Sequence, residues 1–150
     1  MLIDITMAIT CFNERSSVQN WVDSFFEMHN QPSEIIVVDS DSTDGGMDLF
    51  ERLMAPYGGS LRLIKQKCNI STGRNIAIRA AQNDKIAITD FGVTFSNAWL
   101  QEISQTLTNY PVCSGVYVYR GNSVIQNSYS LLFSPDIERL DPENFNPSSR

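Results

Sequence analysis

The chain predicts an α/β domain, a three-layer sandwich on a mostly parallel sheet. Three observations carry the prediction. Short apolar runs alternate with stretches whose apolar residues recur at helical spacing. One run, Glu34-Ile35-Ile36-Val37-Val38, is apolar almost throughout, as a strand covered on both faces must be. Polar clusters follow directly on the strand-like runs, where open parallel sheets place their ligands.

The elements follow in order. Ile3 to Cys11 is short and β-branched and reads as a strand ending at Phe12-Asn13-Glu14. Ser16 and Ser17 are placed to cap a helix whose stripe is Val18, Trp21, Val22, Phe25 and Phe26. Asn30-Gln31-Pro32-Ser33 breaks it ahead of the Glu34–Val38 strand. A polar loop, Asp39-Ser40-Asp41-Ser42-Thr43-Asp44-Gly45-Gly46, leads into a helix face of Met47, Phe50, Leu53 and Met54. Tyr57-Gly58-Gly59 turns the chain into the strand Leu61–Ile64. Ser71 or Thr72 opens a helix through Ile76, Ala77, Ala80 and Ala81, and Lys85–Thr89 is a strand running into Asp90. Ser96 caps a helix carrying Trp99, Leu100, Ile103 and Leu107, and Val112–Tyr119 reads as a last strand. Residues 1–120 are thus expected to form the α/β domain. Residues 121–150 form an extension whose final stretch, Ser134 to Arg150, holds three of the chain's six prolines and reads as loop or tail.

Composition narrows the function. At 150 residues the chain suits one domain that buries about two-thirds of its unfolded surface. Eleven basic residues face 17 acidic ones, for a net charge of −6. A non-specific grip on nucleic acid needs the opposite balance, so no nucleic acid is expected as a partner. No apolar run approaches the roughly 18 residues of a membrane-spanning helix. The opening MLIDITMAIT carries Asp4 and no basic segment, unlike a secretory signal. Cys11, Cys68 and Cys113 are odd in number, widely spaced and without a CxxC pair. They read as small half-buried residues in a reducing cytoplasm rather than a disulfide or zinc framework. The single histidine, His29, reads as a cap or surface residue.

The polar clusters carry the chemistry, and each allows two readings. Asp39 to Gly46 is either a turn and helix cap, with Asp44 facing the helix dipole, or a set of acceptors for a base edge, ribose hydroxyls or a divalent metal. Neither GxxxxGK[ST] nor GxGxxG occurs in the chain. Asp90 follows a buried strand, where a charge is costly without a partner; that partner is a metal bridging to diphosphate, or Asp90 is a turn residue. Arg74, early in a helix, is placed to clamp phosphate or stack on a base, or is a solvated cation. Phe12 stacks on a nucleobase or belongs to the core. Lys65 and Lys67 are unremarkable by themselves.

In order, these clusters resemble the N-terminal half of family-two glycosyltransferases with the Rossmann-like GT-A fold. The likeness spans roughly residues 3 to 119. It is carried by Ile9-Thr10-Cys11-Phe12-Asn13-Glu14, Glu34 to Gly45, Gly73-Arg74-Asn75-Ile76-Ala77, Ile88-Thr89-Asp90-Phe91-Gly92 and Asn97-Ala98-Trp99-Leu100. The resemblance implies a site for a nucleotide-diphosphate-sugar donor. Thr10, Phe12 and Glu14 match positions lining the nucleotide. Asp39 matches the acid that holds base and ribose, with Ser40 beside it. Arg74 and Asn75 match an Ala-Arg-Asn element of the third helix, and Asp90 matches the first Asp of the DxD motif, which holds Mn or Mg. The implied reaction is sugar transfer, with inversion, to a hydroxyl of a glycan, lipid or protein acceptor. The metal neutralises the leaving diphosphate and a distant carboxylate acts as base.

The chain departs from that pattern in four places. Ser40 stands where many members have a second Asp that reads a uracil edge. Gly92 replaces the last Asp of DxD, and Gly73 replaces an Ala. No Glu-Asp or Asp-Asp pair follows residue 119; Asp136, Glu138, Asp141 and Glu143 lie in the proline-bearing tail. The expectation is therefore a truncated N-terminal portion carrying the donor site, with the acceptor part and the base missing. Its exposed apolar surface would favour a homo-oligomer, and any membrane association would run through a partner. A non-catalytic nucleotide-sugar-binding or interaction domain is the competing reading. A receiver-like phosphoacceptor is a third, though Phe12-Asn13-Glu14 offers one acid where that class needs a pair.

Overall fold

The computed structural model describes residues 1–115. Met1–Asn109 forms one compact unit, and every element below lies in it. The order is β1 (Leu2–Cys11), α1 (Arg15–Glu27), β2 (Gln31–Asp39), α2 (Gly46–Leu53), β3 (Ser60–Lys65), α3 (Ile70–Ala80), β4 (Ile86–Asp90) and α4 (Trp99–Asn109). The strands form one four-stranded sheet in the order β3-β2-β1-β4, and every pairing is parallel. The alternating pattern of the sequence is thus the fold: each strand is followed by a helix. Of the expected last strand, residues 112–115 are not in a strand, and 116–119 lie outside the described residues. So does the extension at 121–150, with Asp136, Glu138, Asp141 and Glu143.

Strand periodicity divides the core in two. Ile5, Met7, Ile9 and Cys11 of β1 and Ile35 and Val37 of β2 face a large cluster with Val18, Trp21, Phe25, Phe50 and Leu100 from α1, α2 and α4. Ala8, Ile36 and Val38 face the other way, onto Ala77 of α3. Helices therefore cover both faces, which is why the Glu34–Val38 run of β2 is apolar almost throughout. Trp21 organises the larger cluster. It stacks on Phe25 at 5.2 Å and meets Phe50, Phe91 and Phe95 edge-on at 5.7, 5.4 and 5.3 Å.

Several local expectations are corrected. β2 begins at Gln31 and takes in Pro32, where a break was expected. Pro32 sits at the start of the strand, beside a register irregularity between Ile3 and Thr6, so little is lost by its missing N–H. Its carbonyl accepts from Tyr57 Oη at 2.6 Å. Glu34, inside the apolar run, is buried; it accepts from Thr6 Oγ1 at 2.6 Å and from the Gln82 amide at 2.8 Å. Ser16 and Ser17 do not cap α1, which begins at Arg15 without a local side-chain cap. Asn69 caps α3, accepting from the Thr72 amide at 2.8 Å, so neither Ser71 nor Thr72 opens that helix. Trp99 N donates to the backbone carbonyl of Ser96 at 3.1 Å, at the start of α4. His29 is exposed, as expected.

Replacing Trp21 with alanine would leave a cavity at the centre of four aromatic contacts. Trp21→Ala is expected to lower unfolding free energy by about 3–5 kcal/mol, measured by urea denaturation.

Candidate functional site

Parallel register places the polar strand ends side by side. Cys11 pairs with Asp39, Asp39 with Lys65, and Thr10 with Asp90. One edge of the sheet therefore reads Lys65, Asp39, Cys11, Thr10, Asp90. The order in which strands are added to the sheet reverses there, because β2 and β3 lie on one side of β1 and β4 on the other. A crevice at such a switch point is where α/β sheets bind ligands.

The loop after β1 and the loop after β2 are joined by hydrogen bonds. Asn13, in the left-handed region at φ 55°, donates its amide to Ser42 Oγ at 2.8 Å. Its Oδ1 accepts from Thr43 N at 2.9 Å. The buried Asp39 carboxylate accepts from both the amide and the hydroxyl of Ser42, closing a turn. Ser40 Oγ donates to the Cys68 carbonyl at 2.6 Å and accepts from its amide at 3.0 Å, so this hydroxyl ties the loop after β3 to the edge. Asp41, at φ 66°, pairs with Lys65 at 3.2 Å.

Asp44 connects two helices. One oxygen accepts from Arg15 N, the first residue of α1, at 2.8 Å, and the other from Gly46 N, the first residue of α2, at 2.9 Å. The Arg15 side chain returns to the Gly45 carbonyl at 2.8 Å. Partial desolvation raises the Asp44 carboxyl. The amides of Arg15, Gly46 and Asp44 itself and the Arg15 charge outweigh it, so the group lies below its ordinary value of 3.8. The dipole role expected for Asp44 thus extends to a second helix 29 residues upstream.

Arg74 and Asp90 meet on the other side of β1. Arg74 Nη2 lies 3.3 Å from Asp90 Oδ2, and Thr10 Oγ1 donates to Asp90 Oδ1 at 3.4 Å. The Asp90 side chain is 48% exposed, so the expected cost of a buried charge does not arise; its partner is a guanidinium. Gly73 explains how α3 comes so close. A Cβ there would stand 2.9 Å from the Thr10 methyl and 3.4 Å from Cys68 Sγ. Phe12 is 60% exposed beside the edge, which removes its core reading. Glu14 is half-buried at the α1 N-cap, and Asn75 is exposed next to Arg74. Neither of their side chains bonds to another described residue.

A pocket of about 380 Å³ opens between the Asp39–Gly46 loop, α2 and the end of β3. Asp39, Thr43 and Lys65 give it polar walls, and Met47, Leu63 and Ile64 apolar ones. Lys65, unremarkable in sequence, enters the pocket wall as the last residue of β3, level with Asp39. Burial pushes the Cys11 thiol up to about 11, so it is protonated near neutral pH. All three cysteines are free.

The donor set is poor for a divalent metal. Such ions take about six oxygens, usually with one or two carboxylates beside substrate phosphates. Asp90 is the single carboxylate of its segment, and Arg74 already holds it. Gly92 brings no side chain, although a Cβ there would meet nothing within 4 Å. Among the described residues no three His, Cys, Asp or Glu side chains are grouped to hold a metal. These residues do not by themselves fit a resident Mn or Mg.

Comparison with known proteins gives the same picture of the fold. A model described as "Glycosyl transferase family 2" matches residues 6–147. Among curated proteins none matches in sequence. Among solved structures, a mannosyltransferase of Pyrobaculum calidifontis, in complex with GDP-Man and Mn2+, is similar at TM-score 0.65 and 24% identity. The alignment covers 77% of this chain and 35% of that one. S. aureus TarS 1-349 in complex with UDP is similar at TM-score 0.60 and 17% identity, with 71% and 32% covered. Its complex with UDP-GlcNAc gives TM-score 0.59 and 16% identity, with 71% and 31% covered. The described architecture is thus the Rossmann-like GT-A fold, and the chain spans about a third of the length of these structures. Among the described residues no helix is long and apolar enough to cross a membrane.

The Asp44 clip yields a pH prediction. Because the folded carboxyl lies below 3.8, its contribution is complete above that value and is lost as pH falls through the folded pKa. Asp44→Ala is expected to cost about 1–2 kcal/mol near neutral pH, by loss of a cap acceptor. The gap to the wild type should narrow below about pH 4 in urea unfolding run across pH.

Proposed function

This chain belongs to glycosyl transferase family 2, and on that premise we propose that its strand-end edge holds the nucleotide diphosphate of a sugar donor. The sugar then passes, with inversion, to an acceptor hydroxyl of a glycan, lipid or protein. One observation carries the reading: Thr10, Asp39, Arg74 and Asp90, candidates from four separate stretches of sequence, lie on one edge at the switch point. The family match supports sugar transfer in general. The similar structures are complexes with UDP, UDP-GlcNAc and GDP-Man, which supports a nucleotide-sugar donor.

In this reading the pocket beside Asp39 and Lys65 takes the base and ribose. Asp39 has lone pairs beyond those used by Ser42 and accepts from ribose hydroxyls or a base N–H. Exposed Phe12 offers a stacking face. Thr10, Glu14, Ser40 and Asn75 flank the nucleotide, Ser40 by holding the loop. Arg74 and Asp90 stand at the diphosphate. The family resemblance implies Mn or Mg at Asp90, but Asp90 is already paired with Arg74, and no group of three metal-ligating side chains occurs among the described residues. The donor half of the reaction is assigned to these residues; deprotonation of the acceptor is assigned to none of the described ones. The free cysteines support a reducing, cytoplasmic setting.

Gly92 favours a second reading, a nucleotide-sugar-binding domain without turnover. Release of free nucleoside diphosphate from a nucleotide sugar separates the two, since binding without release supports the second. The donor site itself is tested by thermal unfolding of the chain with UDP, GDP and their sugar conjugates. Ligand at about 100 times Kd should raise Tm by roughly 5–10 °C, and Asp39→Asn should reduce the shift. No shift with any nucleoside diphosphate would remove the donor-site reading.

A further inference from the structure

We propose that the cation meeting the donor's diphosphate in this chain is the Arg74 guanidinium, held in place by Asp90, and that diphosphate binding needs no divalent metal. The inference rests on the donor-site reading and goes beyond it.

Three observations support it. First, the carboxylate at the end of β4 already has a cation. Arg74 Nη2 stands 3.3 Å from Asp90 Oδ2, and Thr10 Oγ1 holds the other oxygen. A divalent ion seated on Asp90 would lie beside the guanidinium, placing two positive groups on one carboxylate. Second, Gly92 supplies no second carboxylate, although the space beside it is open. No group of three metal-ligating side chains occurs among the described residues. Third, the guanidinium has capacity to spare. Its side chain is 42% exposed, and among the described residues it is met by Asp90 alone, at Nη2. A guanidinium presents a planar fork of donors that binds two oxygens of an anion at once. Here the Nη1 prong has no partner among the described residues, and the Asp90 contact is longer than the 2.7–2.9 Å usual for a charge-assisted bond.

The arrangement also explains Gly73. Without a Cβ, α3 packs against Thr10 closely enough to carry Arg74 to the end of β4. Asp90 then acts as a positioning residue: it aims the guanidinium at the switch point. A diphosphate with several anionic oxygens engages the free prong and shares the other with Asp90. Lys65 is paired with Asp41 on the far side of the edge and does not compete for this role.

Calorimetric titration of the chain with UDP and GDP, in EDTA and again in MnCl2, tests the proposal. UMP and GMP serve as monophosphate probes. Affinity for the diphosphates should differ by less than about threefold between EDTA and Mn, a gap under 1 kcal/mol. Arg74→Ala should weaken the diphosphates by about tenfold or more, the loss expected for a charge-assisted pair. It should leave UMP and GMP nearly unchanged, which a general structural defect would not do. Arg74→Lys keeps the charge without the fork and should fall between; wild-type affinity in that variant would overturn the role of the fork. A strict requirement for Mn would overturn the inference while leaving the donor site standing. Absence of binding in both buffers would overturn the donor-site reading, and the inference with it.

Discussion

Everything at the strand-end edge depends on the parallel register of β1 against its two neighbours. Hydrogen-bonded pairing sets Cys11 level with Asp39 and Thr10 level with Asp90. A slip of one residue would turn Ile5, Met7 and Ile9 away from the Trp21 cluster and misplace the ends of three strands together. The register is therefore enforced from the interior. Apolar burial on both faces fixes which residues point where, and the site inherits that order at its rim. Glu34 and Thr6, bonded to each other in the same two strands, act as a polar registration point within the apolar run.

Packing on the two faces is unequal, and the inequality serves the site. One face carries three helices and the aromatic cluster; the other carries α3 and a small cluster of Ala8, Ile36, Val38 and Ala77. Small residues allow α3 to approach the sheet. A bulkier helix would ride higher and hold Arg74 away from Asp90. The geometry of the ion pair is thus set by side-chain volume several residues away from it.

The layered α/β fold was legible because it is written locally. Each helix stripe and each apolar run can be recognised within its own stretch of chain. The candidate residues were legible for a related reason: polar residues right after a buried strand have few structural uses. What was not legible is long-range. Ser16 and Ser17 looked like the cap of α1 because sequence shows only nearby acceptors, whereas the acceptor, Asp44, arrives from the next loop. Asn69 was overlooked because Ser71 and Thr72 also suit a cap. Arg74 and Asp90 each stood out, but their contact crosses from α3 to β4. Lys65 had no local signature, since its meaning comes from standing level with Asp39 in a neighbouring strand.

The stitching between the first two loops has an evolutionary and engineering consequence. The amides of Asn13, Thr43 and Arg15 each bond to a side chain of the opposite loop, Ser42, Asn13 and Asp44 respectively. Transplanting either loop alone from a relative would strip partners from both. The two segments are heritable as one cassette: recombination that exchanges them together keeps the seam intact, whereas a crossover between them leaves it mismatched.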